Sequence, residues 1–339
     1  MPSAPEIRAF DLHAAETATL ERLHRFFSTA DREFWPDREP IPFNEASWRE
    51  RSPFRERQDW MAETAEGEII AHAQVGFGLT GDNPHLGGAG IYVRPDRRRQ
   101  GLGTALLEKI LAETRARGRT LLTFGTASQV PAGEAFISRT GAEMAMEMRI
   151  NRLDLSGLDP TLVDRMIAAG RERAEGFTLG YWIDAFPEEE LDAIADLFDT
   201  MNSAPRGTLR VNDHRVTADQ LRQNMRELRI AKVSRWSLYA RETATGRLAG
   251  FTEVFWHPDR PTHLGQGNTG VLPAYRGHGL GRWLKATMLE RVRRERPTVR
   301  VVDTGNADSN APMLRINEEL GFRLHMVSRT WQLPVEPKT

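Results

Sequence analysis

Two short runs in this chain of 339 residues carry arginine and glycine at a spacing that suits phosphate binding. RRRQGLG spans Arg97 to Gly103, and RGHGLG spans Arg276 to Gly281. In each, Val-x-Pro leads into Arg-x-x-Gly-x-Gly. The glycines let the backbone bend sharply and clear Cβ atoms from its concave side. Several N–H groups then converge at the positive end of the helix that follows, a place suited to a diphosphate. A dinucleotide fingerprint needs a further glycine pair and a distant acidic residue, and a Walker loop needs a following Gly-Lys-Ser/Thr; neither is present. Arginines 97 to 99 are explained by the phosphate loop beside them rather than by a nucleic-acid patch.

The elements around the two runs repeat as well. An offset of 178 residues carries Val93, Pro95, Arg98, Gly101, Leu102 and Gly103 onto Val271, Pro273, Arg276, Gly279, Leu280 and Gly281. That offset is the length of a domain and points to duplication, not to a solenoid. GEIIAHAQVGF (67–77) and GRLAGFTEVFW (246–256) both read as strands opened by a turn. After the runs, Leu102, Leu106 and Ile110 share one helical face, as do Leu280, Leu284 and Met288. Each half also opens with a strand and a helix, the second helix carrying Pro187 in its first turn. The expected layout is a first domain over 1–155, a helical linker over 156–176 and a second domain over 177–339.

Composition narrows the function classes. A net charge of -1 favours neither nucleic acid nor an anionic membrane as partner. No apolar run reaches the roughly 20 residues of a membrane-spanning helix. The opening MPSAPEIRAFDLH does not read as a signal peptide, so a cytoplasmic location is expected. Without cysteine there is no disulfide, thiolate metal site or thiol nucleophile. The nine histidines show no metal-ligand spacing, and His257, His263 and His278 read as surface or loop residues. Oligomeric state is left open.

Val-x-Pro-x-x-Arg-x-x-Gly-x-Gly on a strand-to-helix turn resembles the acyl-CoA pyrophosphate loop of the GCN5-related N-acetyltransferases. The resemblance covers nearly the whole chain as two tandem domains, and the layout is similar to that of the mycothiol synthase-like two-domain acetyltransferases. It implies a mixed sheet of α/β class in each half, and acetyl-CoA (coenzyme A) as the cofactor. It implies coenzyme A contacts from Val93, Arg98, Arg99, Gln100, Gly101, Leu102, Gly103 and Thr104 in the first half. In the second half it implies them from Val271, Arg276, Gly277, His278, Gly279, Leu280, Gly281 and Arg282. No metal is implied.

Amine acetylation needs a proton acceptor for the ammonium and donors for the thioester carbonyl. The departing thiolate benefits from a nearby acid, often a tyrosine in this family. Anchoring the halves on Gly67 and Gly246 sets Gln74 against Glu253. Glutamine cannot take the proton, so Glu253 is the expected base, facing the cleft with its pKa raised by burial. His72 is expected on the face opposite Gln74. TGNADSNAPMLRINEELGF resembles the family's pantetheine-contacting segment, matched at Asn306 and Asn310; GTASQVPAGEAFISRTGA in the first half has neither asparagine. Asn317 occupies the position of the tyrosine acid and is expected to hydrogen-bond the thioester region; Tyr239 and Tyr275 are alternatives for the acid. The Val271 amide is expected to polarise the carbonyl. Trp236, Phe255 and Trp256 read as core; the resemblance implies that Met201, Asn202 and Arg206 lie in a region that shapes the acceptor site, while residue by residue they read as an ordinary interhelix loop.

These readings make the chain an enzyme acetylating the amine of a small molecule directly in a ternary complex, with catalysis in the second half and a degenerate first half still able to bind coenzyme A. Two alternatives stand beside it: a non-catalytic coenzyme A-binding module, and an acetyltransferase of a protein or peptide amine.

Overall fold

The computed structural model describes residues 6–336. In chain order the elements are β1 (Ile7–Phe10), α1 (Thr17–Phe34), α2 (Glu45–Arg49), β2 (Arg55–Glu63), β3 (Ile69–Gly78), β4 (Leu86–Val93), α3 (Leu102–Ala116), β5 (Leu121–Ala127), α4 (Pro131–Ile137) and β6 (Glu143–Asp154). Then come α5 (Pro160–Arg173), β7 (Phe177–Ile183), α6 (Leu191–Phe198), α7 (Ala218–Ile230), β8 (Ser234–Glu242), β9 (Leu248–Trp256), β10 (His263–Val271), α8 (Leu280–Glu295), β11 (Val301–Ala307), α9 (Ala311–Glu319) and β12 (Arg323–Pro334).

The chain divides into two units, and the division is not a single cut. The first unit holds residues up to Glu147, Thr208–Asn212 and residues from Ser328 on; the second holds Met148–Gly207 and Asp213–Val327. The first unit's sheet runs β1-β2-β3-β4-β5-β12, antiparallel except for the parallel pair β4·β5. The second runs β7-β8-β9-β10-β11-β6, antiparallel except for β10·β11. The last strand of each sheet therefore comes from the other half of the sequence. Val301–Ala307 pair with Met148–Asp154, and Leu121–Ala127 pair with Ser328–Pro334. This differs from the expected cut at 155–176, because backbone pairing and not sequence order closes each sheet.

The expected linker is also part of a core. In α5 the buried Val163 and Met166 pack into the cluster built on α8, β8 and β9. Gly170 is what lets α5 approach: a Cβ there would lie 2.6 Å from the Cβ of Trp283. On α8 the expected Leu280, Leu284 and Met288 are buried in the same cluster. Leu102, Leu106 and Ile110 of α3 do the same in the first unit. Each sheet thus has one face under α3 or α8. The other face of β9, carrying Phe251, packs with α6 and α7 around Trp182, Phe186 and Leu221. Among the described residues no helix is long and apolar enough to cross a membrane.

Replacing Gly170 with alanine forces that close contact apart. The expected outcome is a loss of roughly 1–3 kcal/mol in chemical unfolding, typical of overpacking. An unchanged midpoint would show that α5 does not bear on α8 as described.

Candidate active site

The parallel ladder between β10 and β11 runs only from His263↔Val301 to Gln266↔Thr304. Beyond it the two strands pair no further, and a gap opens between their C-terminal ends. A bulge between Gln266 and Thr269 deflects β10 at the same level. On the other edge of β10, Leu272 N–H donates to the Ala249 carbonyl (2.9 Å). Antiparallel alternation then turns the Val271 N–H away from β9 and toward the gap. The first unit repeats the parting: β4 and β5 pair only from Leu86↔Leu121 to Ala89↔Phe124. There Arg94 N–H donates to Ile70 O (2.9 Å), so Val93 N–H faces the gap. Its β4 pairs with β3 without a register shift, so the bulge belongs to the second unit.

The glycine runs lie at the ends of these parting strands. Gly277 and Gly279 take φ of 88° and 76°, in the left-handed region where glycine is favoured. The first amide of the helix to reach a backbone carbonyl is that of Trp283, on Gly279 (3.1 Å). The amides before it are the unmatched donors of a helix start. Arg173, from α5, donates to the Gly277 carbonyl (3.1 Å) and lies against Gly279. In the first unit Arg99 stands in the place of Gly277 with φ 64°, and Gly101 has φ 83°. An arginine held there is strained by about 1 kcal/mol. The loop arginines turn back toward their strands. Arg276 Nε donates to Val271 O (3.2 Å) and Nη2 to Ser203 Oγ (2.6 Å). Arg98 Nε donates to Val93 O (3.0 Å), and its other nitrogens grip Glu33 at 2.8 and 2.6 Å. Both side chains brace the loop from behind, and the cradle itself is made of amides. Of its neighbours, His278 packs near Phe177, Gln100 donates to Asp96 O (3.4 Å), and Arg282 ion-pairs with Glu319.

Glu253 lies on β9 on the same face as Phe251, under α6 and α7. It is buried, and Ser237 Oγ, on its ladder partner, donates to Oε1 (3.2 Å). Burial pushes its carboxyl up to about 7, against the opposing pull of Arg235 and of the Ser237 hydrogen bond. Asn317 is fully buried on α9 and donates to Asn306 Oδ1 (2.6 Å), while its own Oδ1 has no partner among the described residues. Asn310 caps α9, accepting from Met313 N–H (3.4 Å). In the first unit the equivalent positions are Thr126, which receives the Trp331 indole N–H (2.9 Å), and the buried, apolar Ile137. The two tyrosines considered as an acid are both engaged in packing or bonding within the second unit. Tyr239 is stacked on Trp182 at 4.2 Å, and Tyr275 donates to Glu242 (3.2 Å). Asn202 and Arg206 fasten their own loop, to His214 and Asp213, and Met201 lies close to Gly270.

His72 corrects an expectation. It lies two residues from Gln74 and so on the same face, and its Nε2 is 2.9 Å from Asp59 Oδ1. Asp59 is the ladder partner of Gln74 and is gripped by Arg57 through three hydrogen bonds of 2.6–3.0 Å. Burial alone would raise the Asp59 carboxyl; His72 and Arg57 hold it below its usual value instead. Burial also outweighs Asp59 at His72 and pulls the imidazole down. Two further residues escaped the sequence reading. Lys285 is buried on α8 where the first half has Leu107, with its Nζ 5.4 Å from the Phe322 ring centre. Burial pulls its ammonium down to about 7. A lone lysine on the face shared by Leu284 and Met288 was the available signal. Arg235, on β8, is likewise buried, and a charged residue in step with Ser237 on an apolar strand was its signal.

The depressed Lys285 ammonium means that the unfolded chain binds more protons than the native one between about pH 7 and the ordinary lysine value of 10.5. Stability from this residue therefore rises with pH across that window. Lys285→Met is expected to flatten that rise and to gain on the order of a few kcal/mol at pH 7 in urea unfolding. An equal slope in both proteins would contradict the burial of the charge.

The acetyltransferase (GNAT) family model matches residues 20–141 and 192–322. A tandem GNAT protein from the clavulanic acid biosynthesis pathway superposes with a TM-score of 0.79 at 27% identity, over 98% of this chain and 100% of that one. Mycothiol acetyltransferase from Saccharomonospora viridis is 26% identical over 278 residues, covering 77% of this chain and 78% of the relative. A GCN5-related N-acetyltransferase from Sphaerobacter thermophilus shares the fold at a TM-score of 0.65 and 17% identity, over 98% and 97% of the two chains. Two family matches, each spanning one copy of the duplicated strand-loop-helix, place this chain in the GNAT acetyltransferase family as a tandem pair of its domains, with acetyl-CoA as the acyl donor of that family.

Proposed function

We propose that the chain acetylates the amine of a small molecule by direct transfer, and that the second unit is where this happens. The observation that carries the reading is Glu253: a buried carboxylate poised near neutrality, on the strand next to the one whose Val271 N–H faces the gap. Acetyl-CoA, when bound, supplies an activated thioester. The residues fit such a donor. Left-handed Gly277 and Gly279 free the amides at the start of α8 for a diphosphate. The gap between β10 and β11 offers unpaired backbone to an arm rich in amides, with Asn306 and Asn317 beside it.

Each group then has one task. Glu253 takes the ammonium proton; a base with a pKa near the working pH is the efficient choice. Val271 N–H donates to the acyl oxygen as charge gathers there. Asn317, already fixed by Asn306, turns its unpartnered amide oxygen toward the thiol or the arm. The first unit keeps the parted strands and the loop but has Gln74, Thr126 and Ile137 at the three chemical positions. It is the degenerate half, able to hold coenzyme A without turning it over. The small-molecule acceptor is supported by the similarity to the relative named mycothiol acetyltransferase.

Glu253→Gln tests the reading, with thiol release followed over an amine panel. Amine-dependent turnover is expected to fall roughly hundredfold or more, the size of a lost general base. In the parent enzyme the rate should climb with pH through about 7 as the carboxyl ionises. The same raised value means that the native state binds more protons between 4.5 and about 7, so stability falls across that window as pH rises. The glutamine variant should lose that fall. Full activity in Glu253→Gln on an amine whose attack limits the rate would remove Glu253 from the chemistry.

A further inference from the structure

The Arg235 guanidinium is buried and, among the described residues, bonds no carboxylate; the residue's backbone N–H alone reaches one, donating to Asp184 Oδ1 (3.1 Å). Its Nη1 donates to Asn224 Oδ1 (2.9 Å), and its guanidinium lies 3.8 Å over the Phe186 ring. Its Nη2 is fully covered and has no partner among the described residues. Such an atom forfeits its hydration without compensation, which is costly for a charged group. Arg235 precedes Ser237 by two residues and shares its face of β8, and Ser237 is the ladder partner of Glu253. The guanidinium and the carboxylate therefore stand along one face, with no ion pair joining them.

The first unit shows what a purely structural use of this arginine looks like. The duplication sets Arg57 against Arg235, Asp59 against Ser237 and Gln74 against Glu253, and both ladders keep that register. Arg57 is satisfied by Asp59 on its own strand. In the second unit serine replaces that aspartate, and the carboxylate stands across the ladder at 253. The arginine is left with a donor to spare.

We propose that Arg235 binds a carboxylate carried by the acceptor next to its reacting amine, so that the acceptor is an α-amino acid. Its ammonium lies on Glu253 and its carboxylate on Arg235 Nη2. A charge-assisted bond to the guanidinium satisfies the orphaned donor and fixes the amine beside its base. The inference rests on the second unit being the transferring one. Arg235 acts as a specificity residue and takes no part in moving the proton.

The test compares each common L-α-amino acid with its decarboxylated amine as acceptor, by thiol release, in the parent enzyme, Arg235→Met and Arg235→Lys. Calorimetry with the same amino acids supplies a readout free of turnover. The parent enzyme is expected to prefer the amino acid in at least one pair by roughly hundredfold or more in kcat/KM, since a site built around a charged donor rejects the analogue lacking its partner. Arg235→Met should bring that ratio close to one, chiefly through KM for the amino acid, and Arg235→Lys should restore part of it. Should Arg235→Met fail to fold, the parent ratio and the lysine variant still decide. Equal rates on amino acids and amines overturn the proposal and leave the base reading intact. Absence of both transfer and calorimetric binding for every amino acid overturns it as well. A retained carboxylate preference in a fully active Glu253→Gln enzyme removes the base and leaves Arg235 in place.

Discussion

The second unit is organised around a place where a β-ladder stops. β10 and β11 pair over a few residues and then part, and the bulge at Gln266–Thr269 sits at the point of parting. Unpaired backbone in a covered site must find partners. That constraint decides what can line the gap. Gln266 spans the bulge, donating to Thr252 Oγ1 (3.0 Å) and to Glu253 O (2.6 Å). Thr200 donates to the Val271 carbonyl (3.2 Å), and the Arg276 guanidinium takes the same oxygen from the loop side. The Val271 carbonyl oxygen is therefore taken by protein donors, and the N–H on the same edge is what remains for a ligand.

The two units show how one frame carries different chemistry. Both keep the parting strands, the arginine that braces the strand end and the left-handed turn. What has moved is the placement of charge. The first unit draws arginine, aspartate and histidine into one bonded cluster at Arg57, Asp59 and His72, and its Leu107 and Ile137 make the helix faces apolar. The second keeps Arg235, Glu253, Lys285 and Asn317 buried, and among the described residues Arg235 Nη2 and Asn317 Oδ1 lack a partner. Buried polar groups that satisfy one another stiffen a fold; those that do not store free energy that a ligand can release.

Much of this was open to sequence reasoning because it rests on local rules. The strand-loop-helix at Val271–Leu284 follows from glycine spacing and helical periodicity, and an offset of 178 residues exposes its twin. The substitution of Gln74 by Glu253 needed only an alignment of the halves. Other features depend on contacts between distant residues. Nothing near Ser237 announces that it faces Glu253, and Arg235 acquires meaning only through that register. The His72 placement was legible and misjudged, since residues two apart share a strand face. The origin of the last strand in each sheet had no local signal at all, because β6 and β12 alternate in the same way whichever edge they join.

That exchange of strands sets an order of events during synthesis. When a ribosome has made residues up to Glu147, the first unit still lacks the strand that covers β5. Ser328–Pro334 arrive only after a further stretch of chain, a delay of roughly ten seconds or more at ordinary elongation rates. Until then Leu121–Ala127 present an open strand edge, the kind of surface that recruits other nascent chains. The first sheet is thus completed only by a strand made near the end of synthesis, so its last edge is paired after both helices that cover the two sheets have been made.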